Sequence, residues 1–446
     1  MKEIIEEVKQ IIKFIRSYGT DTYFSKHADH DEVQNLEEFL GYSNEGMKRA
    51  QDIILVKLTS LSEESVLLNQ KLKSLRNTRP IDSVEVEKVK MELKANGFFE
   101  RIYRKLADAM VWQIFGGRRE LIARHYLEEE GGKSFSDNGF KASLSAAREI
   151  NKDPLKFALL TDLTSNIQVG DLLVWGMGGI EIHEIKTGNV NKTALDLFHF
   201  YDVNELDPIE RIDAMPEGHF KKQMKRMLKQ KETNIKTAKI LQNDTGEYQK
   251  DSKTRINLKD SHIPQKTYHK ELLKLIQESE VKKWACTSIE GIISVGVYRE
   301  EWREGIGETG LKNMNKGYPV YDLRGTLDVK ICESIFSKPF SEELIADIAF
   351  GKIQVLIGID YDALIDRAKD IGLPLRWSTS KELAEVRQAS PLNPNEILSI
   401  GNKGLVIDDG KKKAFVGAGF MIRLVFDHLT PTIELANRLA ILDSNK

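Results

Sequence analysis

QVGDLLVWGMGGIEIHEIK, residues 168–186, is the stretch on which the reading of this chain turns. Two β-strands are predicted, 168–175 and 180–186, joined by the tight glycine turn Gly176-Met177-Gly178-Gly179. Side chains alternate between the faces of a strand, so Glu184 and Lys186 share one face with Ile180 and Ile182. Glu181, His183 and Ile185 take the other. Asp171 lies thirteen residues before Glu184, and pairing of the two strands brings it close. Two carboxylates and an ammonium then meet at a sheet edge among apolar residues. Burying unpaired charge is expensive. A divalent cation answers that cost, because Mg²⁺ takes carboxylate oxygens and keeps several waters.

The flanks supply the order of elements. A short helix is predicted over 140–150, a first strand over 156–163, and a basic helix over 217–241. Between 221 and 240 that helix holds eight Lys or Arg and one acid. This helix–strand–strand–strand–helix order, with Gly-Asp on the second strand and Glu-Ile-Lys on the third, resembles the PD-(D/E)XK nuclease superfamily over residues 140–300 at most. The resemblance implies a restriction-endonuclease-like mixed sheet core flanked by helices. It implies a metal-dependent DNA nuclease, with Asp171 and Glu184 holding Mg²⁺ or Mn²⁺, the Ile185 carbonyl completing the metal shell, and Lys186 as catalytic lysine. Many members carry a further acid on the first core helix; Glu149 is the nearest candidate and Glu120 the alternative. A helix after the third strand often brings polar residues to the phosphate, and Lys222, Gln223 and Arg226 are the candidates here. Gly170 stands where the superfamily has proline.

ExK alone says little: it occurs at Glu7, Glu92, Glu184 and Glu280. The other three lie on or beside predicted helices, where residues i and i+2 do not face each other. A rival, PVYDLRGTLDVK with Asp322, Asp328 and Lys330, lacks the preceding helix. A solvated salt bridge is the plain reading of Glu184 and Lys186 in isolation; the glycines, the Gly-Asp strand and the basic helix argue against it. Gly132-Lys133-Ser134 lacks the upstream glycine of a P-loop, and Gly305, Gly307 and Gly310 read as a loop rather than a dinucleotide site. His27, Asp29, His30, Asp31 and Glu32 read as a solvated loop.

The whole chain of 446 residues is expected to be α/β in class, with three parts. These are a helical N-terminal region over 1–95, a nuclease domain over 96–300, and a C-terminal α/β domain over 301–446. Helices are predicted near 44–75, 83–95, 266–280, 341–350 and 361–371, strands near 291–298, 353–358 and 403–407, and a polar loop over 243–260. The net charge of −2 requires any nucleic-acid-binding face to be local. Two cysteines without a CxxC, and an acidic amphipathic start without an apolar signal core, fit the cytoplasm. No apolar run is long enough for a membrane helix. DNA is the expected partner, with a homo-oligomer or partner protein engaged through the flanks, as bacterial restriction and anti-phage effectors are built. The alternatives are a structure-specific or RNA-directed nuclease, and a non-cleaving nucleic-acid-binding or adaptor subunit.

Overall fold

The isoleucines of the N-terminus recur at helical spacing, and in a computed structural model of the chain they form α1 (Lys2–Arg16), which buries Val8, Ile11, Ile12 and Ile15. All residues are described except 29–31, 80–81, 128–134, 187–188, 205, 244, 248–254, 258–262, 304, 390–396 and 444–446. Asp29, His30 and Asp31, and the Gly132-Lys133-Ser134 segment, therefore lie outside the described residues. The chain divides into two units, Met1–Leu258 and Lys259–Lys446.

In the first unit, α2 (Tyr18–Lys26) leads to α3 (Leu36–Asn77), 42 residues long, and α4 (Ser83–Ile114), 32 residues long. The helix expected over 83–95 thus runs on to Ile114, because nothing in residues 96–114 breaks it. It stops where Gly116 and Gly117 adopt positive φ. From Ile102 to Ile114, α4 is buried almost all round, Lys105 and Asp108 included. These two pair at 3.1 Å, and the Asp108 carboxylate also accepts from the Ser165 backbone N–H and hydroxyl. The loop before Asp171 is thereby tied to the central helix. A short helix, α5 (Arg119–Ile122), precedes α6 (Asn138–Ile150).

The sheet follows: β1 (Lys156–Leu160), β2 (Leu172–Gly176) and β3 (Gly179–His183), in that order and wholly antiparallel. Leu160 pairs with Leu172, and Leu172 with His183. The expected mixed sheet is not what forms. Among the described residues every ladder is antiparallel, because consecutive strands here are joined by hairpins or short turns rather than crossovers. The outer edge of β1 carries no fourth strand; side chains satisfy it instead. Gln51 of α3 donates to the Ala158 carbonyl at 3.0 Å and accepts from the Leu160 N–H at 2.9 Å, and Asn151 accepts from the Ala158 N–H at 2.7 Å.

Next come α7 (Asn189–Val203), α8 (Pro208–Asp213) and α9 (His219–Asn243), which share a small core of Phe198, Tyr201, Ile212, Met224 and Met227. The polar 243–260 stretch, expected as a loop, holds a short ladder of β4 (Thr245–Glu247) and β5 (Arg255–Asn257).

The second unit begins at α10 (His269–Lys282). Its main sheet has the order β6 (Trp284–Ile289), β7 (Ile293–Arg299), β9 (Ile353–Ile359), β8 (Val320–Asp322). Residues 284–299, read from sequence with the nuclease domain, therefore pair with the C-terminal strands, and the division falls at Leu258. Between β7 and β8, α11 (Ile306–Met314) begins at the glycines that were expected to form a loop. A Cβ on Gly307 would lie 2.8 Å from the Tyr298 ring, so this glycine serves close packing. After β8 come α12 (Glu342–Ala349) and, beyond β9, α13 (Tyr361–Asp370). A second antiparallel sheet, β10 (Leu375–Trp377), β12 (Lys403–Asp408) and β11 (Ser399–Ile400), follows. Among the described residues no helix is long and apolar enough to cross a membrane.

Gln51 is the polar insertion on which the β1 edge depends. Gln51→Leu leaves a buried carbonyl and a buried N–H unsatisfied, at a cost of about 1–3 kcal/mol for each such group. Exchange of the Leu160 amide with deuterium should accelerate at least tenfold. An unchanged rate would show that the edge is held by something else.

Candidate metal-binding and phosphate-contacting site

The β2–β3 ladder stops at Leu172 and His183, earlier than the alternation of the sequence implied, so Glu184, Ile185 and Lys186 lie just beyond it. They are nevertheless held beside Asp171. The Asp171 N–H donates to the His183 carbonyl at 2.8 Å, and its carboxylate accepts from the Ile185 N–H at 2.6 Å. Gly170 makes this approach possible. Its φ is +78°, and a Cβ there would lie 2.4 Å from the Ile182 side chain and 3.2 Å from the His183 carbonyl. Glycine in place of proline is thus what the local geometry demands.

Three of the nominated residues come together. The Lys186 ammonium sits 2.6 Å from a Glu184 carboxylate oxygen, with both side chains largely buried at 13% and 21% exposure. Burial pushes the Asp171 carboxyl above the usual carboxylate range; the Ile185 N–H pulls it back, and the charges of Glu184 and Asp162 push it further up. Among the described residues, the second oxygens of Asp171 and Glu184 accept no hydrogen bond. His183 and Glu181 pair with each other at 2.8 Å near the surface, on the face away from Lys186, as strand alternation requires.

The other nominations fare differently. Glu149 is 72% exposed and pairs with Lys152. The reason lies in the face that α6 buries, Phe140, Ser143 and Ala147: Glu149 is two residues past Ala147 and points away from it. Glu120 pairs with Arg118 at 2.9 Å on α5. Neither is among the charges that act on Asp171. Asp162 takes that place instead. It follows Thr161, whose N–H donates to the Asp171 carbonyl at 3.1 Å, so it stands at the end of β1 beside the start of β2. Its position after the apolar run of the first strand was the available signal.

On α9, Lys222 and Arg226 are exposed, but Gln223 turns inward and donates to the Asn191 side chain. Met224 and Met227 set this orientation by packing into the core shared with α7 and α8. The glutamine that reaches the site is Gln230, seven residues and two helical turns beyond Gln223 on the same face. Its side-chain oxygen accepts from the Lys186 ammonium at 2.8 Å. Counting on by seven from Gln223 would have found it. The rival Asp322 is occupied by the Arg324 N–H and by Gln354, at 2.8 and 3.2 Å.

Among the described residues, no three His, Cys, Asp or Glu side chains form a group able to hold an ion. The donor set is therefore two carboxylates, Asp171 and Glu184, with the Ile185 carbonyl. That suits Mg²⁺, which is commonly held by one or two carboxylates and keeps several waters.

The raised Asp171 carboxyl has a consequence for stability. The unfolded chain ionises Asp171 at its ordinary value of 3.8, while the native protein holds the proton to higher pH. Stability contributed by this group falls as pH rises from 3.8 through the native value, and the penalty is complete at neutral pH. Asp171→Asn keeps an acceptor for the Ile185 N–H and removes the penalty. In metal-free buffer it should melt higher than the native protein at pH 7, with the difference closing below pH 3.8. An equal or lower melting temperature at pH 7 would contradict this account.

Compared with protein-family models, with curated proteins and with solved structures, the chain matches none.

Proposed function

We propose that the chain is a divalent-metal-dependent DNA endonuclease that hydrolyses phosphodiester bonds. The observation that carries the proposal is the meeting of Asp171, Glu184 and Lys186 at the end of the β2–β3 ladder, with Gln230 of the basic helix α9 on the same lysine. The likeness of the Gly-Asp and Glu-Ile-Lys strands to the PD-(D/E)XK superfamily supports the same reading. Asp171 and Glu184 would hold Mg²⁺ or Mn²⁺ together with the Ile185 carbonyl. A bound ion there supplies Lewis-acid polarisation of a phosphate oxygen and a lowered pKa for its water.

The remaining work falls to the chain itself. Lys186 places a positive charge where negative charge builds on the phosphorus oxygens, and a fixed charge needs no reorganisation as the reaction proceeds. Glu184 and Gln230 fix it from two sides. Lys222 and Arg226 offer exposed cations for backbone phosphates, which position a duplex without reading its sequence. Binding that rests on such contacts weakens steeply with salt.

The test is cleavage of plasmid and linear duplex DNA with and without Mg²⁺ or Mn²⁺. Lys186→Ala and Asp171→Ala should each lose on the order of 10²–10³-fold in rate. Gln230→Ala, which only loosens the lysine, should lose less. Lys222→Ala with Arg226→Ala should weaken DNA binding and flatten its salt dependence by about one counterion per phosphate contact removed. Metal-dependent cutting that survives both Lys186→Ala and Asp171→Ala would overturn the proposal. If the native protein binds DNA but never cuts it, the chain is a binding subunit.

A further inference from the structure

Beyond Leu58 no residue of α3 is buried, and the outer halves of α3 and α4 hold chiefly to each other. Val86, Val89, Leu93, Asn96 and Glu100 of α4 recur at alternating three- and four-residue steps, and Val86, Val89 and Asn96 of this set are buried. Asn96 donates to the Leu61 carbonyl and to Glu64, and Lys71 pairs with Glu85 at 2.7 Å, so this seam faces α3. At 100° per residue the opposite side of α4 carries Val84, Lys88, Met91, Ala95 and Phe98. These positions repeat the same steps, the spacing of a coiled-coil seam. Val84 is 78% and Met91 71% exposed. Four residues beyond Phe98 the stripe reaches Ile102, which is fully buried. The apolar stripe thus starts in the core and runs out along α4 with nothing on it.

We propose that this stripe pairs with the same stripe of a second copy of the chain, antiparallel, about a two-fold axis at Met91. The arrangement of residues is self-complementary in that sense alone. Val84 and Phe98 lie seven residues to either side of Met91 and meet across the axis. On one flank of the stripe are Glu87 and Lys94; on the other, Lys88 and Glu92. An antiparallel pair sets Glu87 against Lys94 of the second copy, and Lys88 against its Glu92. A parallel pair in register sets Glu87 against Glu87 and Lys88 against Lys88, which repel. The pair that Glu87 now makes with Lys90 is exposed and worth little, so its loss does not oppose association.

The stripe from Val84 to Phe98 is about 21 Å long at 1.5 Å per residue. That is a small contact, short of the ~800 Å² per partner of a stable complex. A reversible dimer that forms with rising concentration is the expected behaviour. The inference is independent of what the Asp171 site does.

Sedimentation equilibrium of the full chain tests it. The apparent mass should rise from 50.8 kDa toward twice that value across the micromolar range. Met91→Glu, at an exposed position, should hold the mass at one chain while circular dichroism and the melting temperature stay unchanged. Glu87→Lys should weaken the dimer at least tenfold. Adding Lys94→Glu to Glu87→Lys should restore it, because the two changes exchange charges across the axis. A chain that stays monomeric throughout, or a dimer indifferent to Met91→Glu, overturns the proposal. Failure of the double variant to recover overturns the antiparallel register.

Discussion

A ladder of backbone hydrogen bonds positions side chains only while both strands continue, and here it ends at Leu172 and His183. The candidate residues straddle that end: Asp171 lies just before β2, and Glu184 and Lys186 just after β3. Their proximity rests on two bonds, Asp171 N–H to the His183 carbonyl and Ile185 N–H to the Asp171 carboxylate. The second bond makes the carboxylate part of the scaffold as well as part of the site. Both depend on Gly170, since any side chain there would strike Ile182. The chain spends its one conformationally free residue at the point where a strand must start close against its neighbour.

That ladder would be of little use if the sheet could shift. It has only three strands, and β1 would present an open edge were it not for α3. Gln51 offers its amide as a surrogate for a strand residue, donating and accepting two residues apart on β1. Asp108 performs the matching task for the loop after β1, receiving Ser165 through both its backbone and its hydroxyl. Both anchors are buried polar groups, expensive unless fully paired, and pairing makes them specific. The long N-terminal helices are therefore part of what fixes the sheet.

How much of this could be read from the sequence follows from the range of each interaction. The strands and their glycine turn were legible, because alternation and turn chemistry are local. Their lengths were not. Alternation persists through Glu184 and Lys186 after the pairing has stopped, since a chain can stay extended without a partner. Glu149 was misplaced because the extent of α6 says nothing of which side it buries, and that side was settled by Phe140 and Ala147. Gln230 was missed for the same reason: Met224 and Met227 decide how α9 is rolled. Gln51 and Asp108 gave no signal at all. Their partners lie 107 and 57 residues away, and a polar residue in a helix looks solvated until the other half of the bond is known. The strands over 284–299 were assigned to the wrong unit because they are next to the nuclease-like segment in sequence, whereas they pair with residues 353–359.

The plain alternative to a functional site is a surface salt bridge at the end of a hairpin. Exposed pairs of that kind contribute little and cost little. Glu184 and Lys186 do not fit that description, since both are largely withdrawn from solvent and the lysine is held from a second element by Gln230. Asp171 fits it less. Its burial disfavours its charge, and Glu184 and Asp162 disfavour it further. A structural role needs only an acceptor for the Ile185 N–H, and a neutral amide provides one without gathering like charges. Where a sequence keeps an arrangement that works against its own folding, function is the usual reason. Three acids converging on a fixed ammonium, beside a helix with eight cations and one acid between 221 and 240, is the arrangement that metal-assisted chemistry on a polyanion would call for.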